Sequence, residues 1–501
     1  MAEREGNGEG GAPSGAVFRR GVAWVLAGNV GHRVLGFLFG IVLARLLAPE
    51  IFGQLLTIQV FTGVAGFIAG GGMGQALVRA KVAEKPDFDI VFTLQLALGV
   101  AIYSFFFFAA PWFAAWYDTP LYTDLLRITA LSFLFRPFLN MPQSQLHRAM
   151  RYKELSIVRV TALVGSSLVS IALALLGYGI WSLVIGGIVA SVLSIALAGR
   201  FAHWRPGLSA NIARGRHLAS YGVMVSLTDI VNYLREQAVI FILSRNMGPA
   251  SVGLYNKGDS LARMPHLLIT GSVYKVTFRA MAAEQDNLDK GAYLFFRSIA
   301  LVAVYATPFY MGLLWTAEPL VVGVYGEKWR SAATPLAILA FAWPFWLLGN
   351  LAGSVLAARN WLHRELVVQV SSLLVMVLLV LIGLSWGLAG VAVAIVGASA
   401  YTAVYMQWLA VQCLKTRWRH YLGALLPAVV LNVPLAAFLY ALDHLLGGPH
   451  VVGDYAYLAA MVVGGAVVYG VLFFALPLPA LATERARWWE RLKGLRPGGG
   501  T

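Results

Sequence analysis

Apolar runs of about 20 residues, the length that crosses a hydrocarbon core, recur along nearly the whole chain. They predict about fourteen membrane-spanning helices, near 21–45, 51–78, 90–115, 123–147, 157–176, 179–199, 217–244, 251–278, 292–316, 331–356, 366–384, 387–411, 420–442 and 455–478. The runs at 51–78 and 251–278 are longer than a simple crossing, so each is expected to bend or to project beyond the membrane. In the first of them Gly63, Gly66, Gly70, Gly71, Gly72 and Gly74 mark a place for a bend and permit close helix contact. Pro111, Pro137, Pro265 and Pro308 should kink their helices unless neighbouring groups bond the carbonyls they free.

Polar positions interrupt this pattern most heavily between Tyr221 and Phe278. One helix there carries Asp229, Asn232, Arg235 and Glu236, and the next carries Asn256, Lys257, Asp259 and Arg263. Ionisable groups at bilayer depth are costly, so they face a water-filled cavity and belong to function. The same hairpin echoes an earlier one. Ala44-Arg45 ahead of Pro49 and Gly53 matches Ser244-Arg245 ahead of Pro249 and Gly253, and Arg79-Ala80 matches Arg279-Ala280. Such a repeat is the mark of a transporter built from two related halves. A weaker echo relates Gly177 to Ser182 with Ser385 to Gly390. The expected fold is therefore an all-α polytopic membrane protein, with two pseudo-symmetric six-helix lobes around a central cavity and two added C-terminal helices. The expected divisions are a disordered cytoplasmic leader at 1–16, an N-terminal lobe at 17–205, a C-terminal lobe at 206–415, the added spans at 416–480 and a cytoplasmic amphipathic tail at 481–501.

Composition agrees with the class: 59% of residues are hydrophobic and only 12% charged, against about a quarter charged in soluble domains. A net charge of +15 suggests nucleic acid in a soluble protein, but here the basic residues gather in alternate connections. Arg79, Lys81 and Lys85, then Arg148, Arg151 and Lys153, then Arg200 and Arg205 fall on one side, while Lys328 and Arg330 are the main exceptions on the other. Such asymmetry places both termini in the cytoplasm and favours an even number of spans. The acidic, Gly-rich start lacks the apolar core of a cleavable signal. The tail, with Trp488 and Trp489 among arginines, suits either an interfacial helix on an anionic leaflet or a solvated basic tail. The single cysteine, Cys413, excludes an intramolecular disulfide and reads as packing.

A series of short motifs carries a family resemblance. Ala44-Arg45-Leu46-Leu47-Ala48-Pro49 with Phe52-Gly53, then Gly74-Gln75-Ala76-Leu77-Val78, resembles the opening of Wzx-type oligosaccharide flippases. These belong to the polysaccharide transporter family within the multidrug/oligosaccharidyl-lipid/polysaccharide flippase superfamily. The series continues through Arg148 to Lys153, Gly177 to Val184 and Val252 to Asn256, and spans roughly residues 17 to 480. The resemblance implies a fourteen-helix bacterial inner-membrane protein. It would move undecaprenyl-diphosphate-linked oligosaccharide repeat units to the periplasmic leaflet by alternating access, for exopolysaccharide, capsule or O-antigen export. It implies no cofactor. It also implies membrane lipids as surroundings and, as partners, a polysaccharide polymerase and a chain-length regulator.

A lipid-linked diphosphate sugar carries negative charge and hydroxyls past a medium that satisfies neither. A few cations with amide and carboxylate neighbours can replace that hydration. Asn29, His32, Arg33 and Gly36 fall at helical spacing in the first span, Asp229, Asn232 and Glu236 share a face, and Asn256, Asp259, Ser260 and Arg263 form a stripe with Lys257 beside it. Under the repeat Asn29 corresponds to Asp229, and Gln59 to Asp259. Arg33, Lys257 and Arg263 are the phosphate-binding candidates, because arginine engages phosphate bidentately. The related lipid II flippase implies cavity arginines on the first and eighth spans, which Arg33 and Arg263 match by helix and depth. Asn29, Asn232 and Asn256 are the candidate sugar and phosphate partners. Asp229, Glu236 and Asp259 either neutralise the cations or bind a coupling ion, and His32 reads as packed.

Enzyme readings have less behind them. Asp87-Phe88-Asp89 has the Asp-x-Asp form of sugar-nucleotide transferases, yet a helix cap for the third span explains Asp89 better. No Walker A or His-Glu-x-x-His motif is present. A drug/cation antiporter of the same superfamily, a membrane polysaccharide polymerase or ligase, and a scaffold that only organises envelope assembly are the alternatives.

Overall fold

The computed structural model describes residues 15–70, 72–266, 277, 279, 281 and 287–494. Helices account for nearly all of them. The described part of the expected leader begins at Gly15, inside the first helix, and the residues before it lie outside the described range. The chain divides into two compact units between Phe241 and Ile242, within one long helix. The lobe boundary expected from connectivity lies earlier, at 205/206, in the extended segment ahead of that helix.

The first unit contains α1 (Gly15–Leu46), α2 (Pro49–Gly70), α3 (Met73–Arg79), α4 (Lys85–Trp116), α5 (Leu121–Ala130), α6 (Ser132–Arg148), α7 (Tyr152–Leu175), α8 (Ile180–Ala202) and most of α9 (Ile212–Asn246). The second expected span is broken, as its glycines foretold: α2 stops at Gly70, and Gly72 at φ 55° begins α3. The fourth expected span is also broken, at Leu131 between α5 and α6. Phe106, Tyr122, Leu125, Phe133 and Ile180 form one buried cluster, while Met73, Leu77, Val91 and Met141 form another. The start of α4 departs from expectation. Pro86 fixes its first turn, and a capping box of Glu84 and Asp87 closes it, with the Glu84 amide donating to Asp87 Oδ2 at 2.9 Å. Asp89 lies inside the helix and is not the cap.

Pro111 finds the compensating donor that a proline inside a helix needs. Pro111 deprives the Phe107 carbonyl of its helical donor, and Arg127 Nε supplies one at 3.1 Å while its guanidinium lies 4.3 Å from the Phe107 ring. Pro137 frees the Phe133 carbonyl, which abuts the backbone of Gly99; a Cβ there would sit 2.6 Å from that oxygen.

The second unit contains the end of α9, α10 (Gly248–Ala262), α11 (Leu288–Tyr325), a 3-10 turn (Glu327–Ala332), α12 (Ala333–Leu339), α13 (Ala342–Ala358), α14 (Leu362–Gly383), α15 (Gly387–Cys413), α16 (Trp418–Leu446), α17 (Asp454–Ala475) and α18 (Ala482–Gly494). The eighth expected span is described as far as His266 and then passes outside the described residues. The hairpin echo is visible in local structure. α1 ends with Arg45 in its last turn and Pro49 opens α2, as α9 ends with Arg245 in its last turn and Pro249 sits in the first turn of α10. The two added spans, α16 and α17, pack on α11. Asn432 of α16 donates to Thr307 Oγ1 at 2.7 Å. Arg330, one of the two basic exceptions in the connections, pairs with Glu318 and Glu327. The tail forms α18, held to α11 by Arg297–Glu484 at 3.0 Å and by Trp488 Nε1 donating to the Tyr305 hydroxyl at 2.8 Å.

Among the described residues nine segments are long and apolar enough to cross a membrane, or ten with the pair Glu327–Leu339 and Ala342–Ala358, which bends by 44°. One of the nine, His363–Cys413, covers α14 and α15, which turn at Gly387 and pack against each other. Among the described residues each expected span, the eighth as far as His266, falls on a helix or a broken pair, compatible with fourteen crossings. Of the other helices, α5, α6 and α10 are each shorter than a crossing, and α9 carries Asp229, Arg235, Glu236 and Arg245.

Candidate functional site

In the second unit α10 positions three of the expected residues. Its first turn carries Pro249, pre-set for a helix start, and Gly258 lets the backbone of α12 approach, since a Cβ there would lie 2.9 Å from the Ala332 carbonyl. On the remaining surface Lys257 Nζ sits over two rings, 5.1 Å from Tyr325 and 5.9 Å from Trp329. One turn on, Arg263 Nη2 meets Asp259 Oδ2 at 2.9 Å, and its guanidinium lies 5.1 Å from the Trp343 ring. The Arg263 side chain is 48% exposed and that of Asp259 15%. The carboxylate is thus the buried member, and the cation presents its free edge. Asn256 is half-buried and its carbonyl accepts from Ser260 Oγ at 2.7 Å. The structure therefore joins Asp259 to Arg263 and gives each cation an aromatic wall.

In the first unit Asp229 is half-buried on α9, with Asn232 and Glu236 exposed on the following turns. Tyr233, between them, donates to the Gln59 carbonyl at 2.6 Å, and Gly63 leaves room for its ring. On α1 His32 is half-buried and Arg33 exposed. Asn29 Oδ1 accepts from Arg159 Nη1 of α7 at 3.1 Å.

Sequence reasoning missed five residues here. At the end of α2, Arg136 Nη1 donates to the Gly66 carbonyl at 2.6 Å, Ser226 Oγ to Phe67 at 3.0 Å, and the fully buried Gln95 to Gly70 at 2.6 Å. Asn140 bonds Gln95 at 3.3 Å. A helix end leaves its last carbonyls without partners, and a cation beside that end is favoured by the dipole. The broken span is thus closed by side chains from three other helices, and Arg148 does the same for the Leu77 carbonyl in the last turn of α3 and those of Ala80 and Lys81 beyond it. The signal was available: Arg136, Asn140, Ser144 and His147 recur at helical spacing in the fourth span. Arg159 is the fifth omission, a single arginine inside an apolar run.

Broken helices, intramembrane cations with aromatic walls and a repeated hairpin define a polytopic membrane transporter. Comparison with known proteins agrees. The family described as "Polysaccharide biosynthesis protein" matches residues 42–334, and the chain belongs to it, within the polysaccharide flippases of the superfamily the motifs resembled. Lipopolysaccharide biosynthesis protein WzxC of Escherichia coli (strain K12) is 24% identical over 85% of this chain and 88% of its own. Succinoglycan biosynthesis transport protein ExoT of Rhizobium meliloti (strain 1021) is 26% identical over 64% of this chain and 65% of its own. Among solved structures, the lipid II flippase MurJ in an inward closed conformation aligns with a TM-score of 0.71 at 16% identity, covering 90% of this chain and 98% of that one. An inward-facing multidrug resistance MATE family transporter aligns at 0.59 over 77% of this chain and 95% of its own. These likenesses establish the shared fold.

Proposed function

We propose that the protein is a flippase for polyprenyl-diphosphate-linked oligosaccharide repeat units, working by alternating access in the bacterial inner membrane with both termini cytoplasmic. The observation that carries this reading is Arg263, an intramembrane cation half exposed although it is paired to Asp259 and backed by Trp343. A guanidinium has five donors in a planar fork, and the pair with Asp259 leaves most of that fork for an anion. Tyr325, Trp329 and Trp343 are buried and back the two cations, and Lys257 adds a second positive charge. Asn256 and, in the first unit, Asn29 and Asn232 supply amides for hydroxyls. Asp229, Glu236 and Asp259 balance the charge or take up a coupling ion. The lipid tail remains in the bilayer while the head crosses, and no covalent step is required.

The family membership and the likeness to ExoT, a succinoglycan biosynthesis transport protein, support the same class of cargo. The test is polymer export in cells expressing Arg33→Ala, Arg263→Ala and Arg263→Lys, each checked for membrane insertion. Both alanine variants should abolish export while the protein stays folded. Partial rescue by lysine means that a point charge suffices, and none means that bidentate geometry is needed. Normal export in both alanine variants would refute the phosphate assignment.

A further inference from the structure

The seam between α1 and α7 is built around a cation that the reading above does not use. The two helices run in the same direction and meet through a ladder of small and polar residues. Lys153 Nζ lies 5.6 Å from the Trp24 ring, and Ser156 Oγ donates to the Trp24 carbonyl at 3.1 Å. Gly28 allows this approach: a Cβ there would lie 2.4 Å from Ser156 Oγ. One turn further along, Arg159 Nη1 donates to Asn29 Oδ1, and beyond it a Cβ at Gly36 would lie 3.9 Å from Leu163.

Depth follows from the sequence of these contacts. Trp24 stands near the start of the apolar run of the first span, 21–45. Trp24, partly exposed and stacked with Lys153, occupies the position of an interfacial tryptophan, on the same side as the basic connection of Arg148, Arg151 and Lys153. With a rise of 1.5 Å per residue, Arg33 lies about 14 Å along the axis from Trp24 and Asn29 about 7 Å. Arg159, bonded to Asn29, is thus placed within the half of the roughly 30 Å hydrocarbon core nearer the basic connection, and Arg33 near its middle. Both side chains are exposed, and among the described residues neither has a carboxylate partner. Two arginines at this depth without an acid are expensive unless an anion completes them. Asn29 neutralises nothing. It accepts from one guanidinium terminus and so fixes the direction of the rest of the fork.

We infer that Arg159, oriented by Asn29, forms with Arg33 a capture site for lipid-borne diphosphate in the half of the bilayer nearer the basic connection, on the path by which substrate enters the transporter. The inference rests on the proposed flippase function and gives it a loading step. A diphosphate has two phosphoryl groups and can engage two guanidinium forks at once, whereas a phosphodiester headgroup offers one. The site therefore selects diphosphate over the surrounding anionic lipid.

The test uses the purified full chain in phosphatidylcholine nanodiscs, with undecaprenyl diphosphate and phosphatidylglycerol as separate probes. Arg159→Gln should weaken undecaprenyl diphosphate binding by about tenfold or more and leave phosphatidylglycerol binding unchanged. Arg159→Lys should retain part of the affinity. Asn29→Ala, which keeps both charges, should give a smaller loss and serves where Arg159→Gln does not fold. Undiminished diphosphate binding in the glutamine and alanine variants would overturn the inference, as would phosphatidylglycerol competing on equal terms. Translocation is measured in parallel. Arg159-dependent binding without translocation by the unmodified chain would count against the flippase reading alone, and translocation with Arg159-independent binding against the capture site alone.

Discussion

The hydroxyl of Tyr469 donates to the Val304 carbonyl at 2.5 Å, and that carbonyl is the one Pro308 leaves without a helical donor. A proline in α11 and a tyrosine in α17 thus complete each other. Leaving a buried acceptor unmade costs about 1–3 kcal/mol. Tyr469→Phe should lower thermal stability in detergent by an amount of that order, and the loss should shrink in a Pro308→Ala background, where the backbone supplies its own donor. An equal loss in both backgrounds would mean that the tyrosine acts through packing alone.

Arg148 closes the end of the broken second span through three carbonyls. Arg148→Ala should raise hydrogen exchange across Met73 to Arg79 without changing exchange in α7. Arg148→Lys, with a single ammonium in place of a fork, should recover only part of the protection.

Gly66 and Arg136 exclude each other sterically: a Cβ at Gly66 would lie 2.4 Å from Arg136 Nη2. Gly66→Val should push the guanidinium off the α2 carbonyl and destabilise the chain by about 1–3 kcal/mol, the usual cost of overpacking. Melting of Gly66→Val against Gly74→Ala, where the nearest atom is the Ser144 hydroxyl, should show the larger drop for Gly66. The reverse order would remove Arg136 as the cause.

Asp259 is more buried than Arg263, so it serves to hold the arginine. Polymer export should therefore fall further in Arg263→Ala than in Asp259→Asn, which keeps a hydrogen-bond acceptor for the guanidinium. Abolished export in Asp259→Asn with export retained in Arg263→Ala would make the carboxylate the primary group and point to ion coupling.

The positions of the spans were legible because lipid-facing helices announce themselves by apolar length, and the glycine run from Gly63 to Gly74 marked the break that the structure places at Gly70 to Gly72. The break at Leu131 was not legible, since Leu131 is apolar and a good helix former. The site was half legible. Asp259 and Arg263 lie four apart on one helix, so their pairing follows from spacing. Arg136 with Gly66 and Arg159 with Asn29 join residues 70 and 130 apart in the chain. No local pattern reports such contacts. They depend on which helices become neighbours, and a single sequence leaves that open. The proline carbonyls show the same limit: the need was readable at Pro111 and Pro308, the donors Arg127 and Tyr469 were not.

Leaflet-specific accounting of lipid-linked oligosaccharide in cells lacking this protein tests the central claim most directly. Fully assembled repeat units should accumulate on the cytoplasmic face, and restoring the unmodified chain should clear them. Repeat units reaching the periplasmic face at the normal rate, with polymer short or absent, would contradict the flippase reading and assign the protein to polymerisation or assembly instead.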